Sequence, residues 1–107
     1  MALVCGPKNS RYTYTGSRSP HTDLAIEVDA ATVRDAVAAY EAKFHCNIAP
    51  APDYGRLYFL HTDVSTGSYV MVAIHVVRAN ETIDVKQNLE IALQANDIVD
   101  IVQVVGG

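Results

Sequence analysis

Three side chains in the sequence have the types and the alternation for acid–base chemistry: His75, Tyr58 and Glu27. Histidine exchanges protons near neutral pH, and a neighbouring carboxylate can orient its ring. A tyrosine hydroxyl can hold a substrate oxygen. The three act together only if separate strands carry them to one sheet face. The plainer reading of His75 is an interface histidine with its hydrogen bonds satisfied. His45-Cys46 is a second reactive-looking pair, but adjacent residues point different ways. No Cys-x-x-Cys or His-x-x-x-His spacing accompanies it, so no metal site is expected. Cys46 has no motif that supports a nucleophile. His61 falls on the strand face opposite to His75 and reads as packing or capping. The chain has no glycine-rich phosphate loop, Gly-x-Ser-x-Gly elbow or His-Glu-x-x-His, and no cofactor is expected.

The elements that must carry these residues follow from periodicity. Residues 23–28 alternate, with Leu24, Ile26 and Val28 on one face and Ala25 and Glu27 on the other. Asp29 stands where a helix N-cap would, and Val33, Val37, Tyr40 and Phe44 then form one helical stripe. The proline-rich run 49–55 reads as a loop. Residues 56–64 and 69–78 read as two strands of a hairpin turning at Thr66-Gly67. That turn pairs Phe59 with Ile74, Tyr58 with His75 and Leu60 with Ala73. Val85, Leu89, Ala92 and Leu93 suggest a second helix from about Thr82 to Asn96, and residues 98–105 a last strand.

The order is strand, helix, strand, strand, helix, strand. It predicts an α+β, ferredoxin-like domain over residues 23–107, a four-stranded antiparallel sheet with both helices on one face. Residues 1–22 are turn-rich and read as an N-terminal arm, either flexible or a short edge strand through residues 11–15. The plan leaves one sheet face uncovered. Leu60, Met71, Ala73 and Tyr69 fall on it, and a patch of that kind marks a contact site. A homodimer or higher oligomer is therefore expected, with the arm folding over the face as the alternative.

Composition narrows the partners. The chain has 107 residues and a net charge of -4, with eight scattered basic residues and no basic footprint for nucleic acid. Neither a signal peptide nor a membrane span is read, and the two distant cysteines form no disulfide framework. A cytoplasmic protein is the expectation.

Cys46-Asn47-Ile48 after the helix and the closing strand resemble the ACT-type regulatory domains over roughly residues 23–105. Asp29-Ala30-Ala31 stands where that family carries Pro-Gly. The resemblance implies pairing of domains and a small effector bound near the first turn, with Asp29 and Asn47 as ligand-binding positions. The expected function is thus a non-catalytic, oligomeric binding or regulatory domain for a small ligand or protein partner. One alternative is a small dimeric α+β-barrel enzyme using His75 with Tyr58 and Glu27. Another is a structural or inhibitory protein that binds a larger partner.

Overall fold

In a computed structural model, the described residues are 1–7, 25–52 and 57–104. They form one helix and seven strands: β1 (Ala2–Cys5), β2 (Ala25–Val28), α1 (Val33–Phe44), β3 (Cys46–Pro50), β4 (Phe59–Asp63), β5 (Tyr69–Arg78), β6 (Glu81–Asp84) and β7 (Ile98–Gln103). The sheet order is β2-β1-β7-β5-β4-β3, and β6 pairs with the second half of β5. β1 and β7 run parallel at the centre, and every other pair is antiparallel. The ferredoxin-like α+β plan is therefore corrected to a mostly β fold, a mixed sheet curled into a half-barrel around a single helix.

The expected second helix is absent among the described residues. Its stretch alternates in burial from Ile83 to Gln94, with odd positions turned inward and even ones outward. Ile83, Val85, Leu89, Ile91 and Leu93 are the inward apolar positions. That is a period of two, which a strand can use and a helix cannot. Glu81–Asp84 accordingly joins β5, and Lys86 and Asn96 take left-handed backbone (φ 52° and 68°) that ends any regular run. The following segment lies across the start of α1. Val33 N–H donates to Ile91 O (3.0 Å) and Arg34 N–H to Leu89 O (2.8 Å).

The first helix forms where its stripe placed it. Thr32, not Asp29, is the N-cap, and its hydroxyl accepts from Asp35 N–H at 3.3 Å. His45 closes the helix in left-handed backbone, φ 53°. Val33, Ala36, Val37 and Tyr40 are buried against Val4, Val28, Phe59, Val72, Ile74, Val76, Val99 and Ile101. This is the core.

The segment expected as an arm is described only at its start, where Ala2–Cys5 is a central strand. Residues 8–22, the strand expected at 11–15 and Leu24 lie outside the described residues. The loop expected from residue 49 gives its first two positions to β3, an edge strand ending at Pro50, where a missing N–H breaks no ladder bond. The hairpin register is offset by two. Phe59 opposes Val72 and Leu60 opposes Met71, because the turn is centred one residue earlier, between Ser65 and Thr66, and closes through Gly67 N–H to Asp63 O at 2.8 Å. An offset of two keeps every side chain on its expected face.

Candidate functional site

The sheet face turned away from α1 carries most of the candidate residues. β5 presents Tyr69, Met71, Ala73 and His75 there. His75 is opposed by Asp100 of β7 on one side and Asp84 of β6 on the other. Its Nε2 lies 3.9 Å from Asp84 Oδ1, with the ring 30% exposed. The sequence reading named neither carboxylate. Asp84 was hidden inside the supposed helix. Asp100 was findable, since it stands between Val99 and Ile101 in the last strand and so falls on the outer face with Ile98 and Val102.

Glu27 does not join this row. It opposes Leu3, which opposes Ile98, which opposes Val77. Glu27 is one row over and three strands away from β5, about 14 Å at the usual strand spacing. Tyr58 lies closer. Carrying the β4–β5 register back one residue sets it against Ala73, diagonal to His75. Its carbonyl accepts from Gln87 Nε2 at 3.0 Å, which ties the start of β4 to the chain after β6. The structure thus brings His75 near Tyr58 and replaces Glu27 with two aspartates.

Asp29 and Asn47 are both exposed and stand at opposite ends of α1. The 12-residue helix between them is about 18 Å long, so they do not share one small ligand there. The fold that the ACT resemblance implied is not the one found.

The four expected interface residues do lie together. Leu60 opposes Met71, and Ala73 opposes Val102 of β7. Tyr69 is 67% exposed at the end of this patch and Val102 is 38% exposed. Among the described residues, α1 packs on the other face only. A separate open groove of about 430 Å³ is lined by Met1, Ala2, Leu3, Glu27, Asn96, Asp97 and Ile98. The Asp97 carboxylate is occupied. It accepts from Arg78 at 3.0 and 2.8 Å and from Gln94 N–H at 2.7 Å. These bonds hold it below the usual carboxylate range.

The helix-facing side holds one further polar cluster. The Tyr40 hydroxyl lies 2.9 Å from His61 Nε2, and the tyrosine is fully buried. Burial pushes its hydroxyl up in pKa and the His61 ring down. Burial, with Glu41 and Asp63 nearby, pushes the Cys46 thiol up to about 11, which keeps it protonated and inert. The first amides of α1 are already used by Thr32, Leu89 and Ile91, so the helix start offers no anion site. Among the described residues no group of three or more His, Cys, Asp or Glu side chains could hold a metal ion, and no helix is long and apolar enough to cross a membrane. Compared with protein-family models, curated proteins and solved structures, the chain matches none of them.

Proposed function

We propose that this chain is a non-catalytic, oligomeric binding domain that contacts its partner through the sheet face turned away from α1. The supporting observation is the apolar pairing of Leu60 with Met71 and Ala73 with Val102, with Tyr69 and Val102 substantially exposed. Apolar side chains gathered on one open face lose contact with water when a second surface meets them, at roughly 25 cal/mol per Å². A second copy of the chain is the simplest occupant. Sedimentation velocity at micromolar concentration is the test. Self-association that Met71→Lys abolishes, with the melting curve unchanged, supports the reading. A wild-type monomer rules out the second copy.

A second reading is acid–base catalysis at His75, favoured by its place between Asp84 and Asp100. The carboxylate beside the ring would fix its orientation. Loss of a measured activity in His75→Ala, with binding intact, would support it. Equal behaviour of His75→Ala and wild type across a substrate panel would exclude it.

A further inference from the structure

Tyr40 places a hydroxyl inside the core, where it needs a partner. The partner is His61, and the contact joins α1 to β4 at 2.9 Å, with the rings edge to face at 5.7 Å. The Tyr40 side chain has no exposure to water, and among the described residues His61 Nε2 is the group its hydroxyl meets, so the O–H donates there. The neutral ring therefore carries its proton on Nδ1 and accepts at Nε2 from the Tyr40 O–H. A second proton on Nε2 sets donor against donor. The Tyr40 hydroxyl must then rotate, and its hydrogen loses that partner in a side chain with no exposure to water.

We propose that the Tyr40–His61 bond is a proton-sensitive latch between α1 and the β3–β4 edge of the sheet, loosened when His61 Nε2 takes up a proton in mildly acidic solution. The surroundings do not welcome an imidazolium. The residues opposite His61 are Ile48 on β3 and Val70 on β5, both apolar. The titratable neighbours are Tyr40 and Glu41 from α1, Cys46 from β3 and Asp63 from β4. Both carboxylates are engaged elsewhere: Glu41 accepts from Ile48 N–H at 2.8 Å and Asp63 from Ser65 at 2.8 and 2.6 Å. Their attraction for a proton is outweighed by burial of the ring. β3 is the outer strand, so this seam can part without disturbing β1, β7 and β5.

A group whose pKa is lower folded than unfolded contributes stability above its unfolded value, about 6.5 for histidine, and loses it as pH falls through that window. The test is an NMR titration of the His61 ring in the full chain from pH 8 to 4.5, with amide exchange followed in β3, β4 and the second half of α1. The ring should titrate below about 6.5. Over the same window, opening of those amides should increase, by up to about tenfold per pH unit. His61→Gln should lack the step, and Tyr40→Phe should move the ring's midpoint towards 6.5. An exchange step that persists in His61→Gln overturns the latch, as does a ring titrating at or above about 6.5. Should His61→Gln not fold, the wild-type coincidence of the two steps and their joint shift in Tyr40→Phe still decide.

Discussion

Asp97 is the buried charge on which the region before β7 depends. Its side chain is 1% exposed, and Arg78 grips both of its oxygens while Gln94 N–H donates to one. The same guanidinium donates to Ala92 O at 3.1 Å, so one arginine holds the chain from 92 to 97 against the end of β5. Asp97→Ala removes the carboxylate and leaves Arg78 and the Gln94 amide to find water. Breaking a fully buried pair costs about 3–5 kcal/mol. Arg78 is 25% exposed and partly resolvates, so the lower figure of about 2 kcal/mol is expected for Asp97→Ala. For a domain of this size that is roughly 8–12 °C in melting temperature. Urea unfolding monitored by circular dichroism should show a lower midpoint with an unchanged slope. Asp97→Ala combined with Arg78→Met should recover part of the loss, because no unpaired charge remains. A melting shift of less than about 2 °C, or a double variant no better than the single one, would refute the reasoning.

Three further outcomes are expected. Ala79 sits in the β5–β6 turn with φ 51°, a left-handed conformation that costs a non-glycine about 1–2 kcal/mol. Ala79→Gly should therefore stabilise the chain by about 0.5–1 kcal/mol in urea titration, after the larger unfolded-state entropy of glycine is subtracted. Phe59 is fully buried, and Phe59→Ala should destabilise by about 3–5 kcal/mol in the same assay. Cys46, buried and with its thiol pushed up to about 11, should resist iodoacetamide at pH 8 in the folded chain and react at once in urea. Rapid alkylation of the folded chain would contradict that environment.

The candidate site was legible in part. Alternation alone assigned Met71, Ala73 and His75 to one face, and an error of two in the hairpin register did no harm because two residues restore the same face. The aspartates flanking His75 depend on which strands lie beside β5, and local pattern carries no information about that. Tyr40–His61 was hidden for a similar reason: the tyrosine was visible as core and the histidine as facing inward, but their meeting needs the curl of the sheet around α1.

What the sequence determined by itself were the features with a short period. The stripe from Val33 to Phe44 makes the helix wherever it docks, and the alternation through β4 and β5 makes a hairpin. The 82–96 region carried its own warning, since Ile83, Val85, Leu89, Ile91 and Leu93 all fall on odd positions, interrupted only by Gln87, and the helical reading passed over Ile83 and Ile91. Only the tertiary structure decided that Ala2–Cys5 is a central strand. Four residues are too few to specify a strand; Val4 is one because Val28 and Val99 bury it beside them. The parallel pairing of β1 with β7 joins residues almost a whole chain apart. That contact is chosen by burial of both strands under α1, and no local rule reaches across that distance.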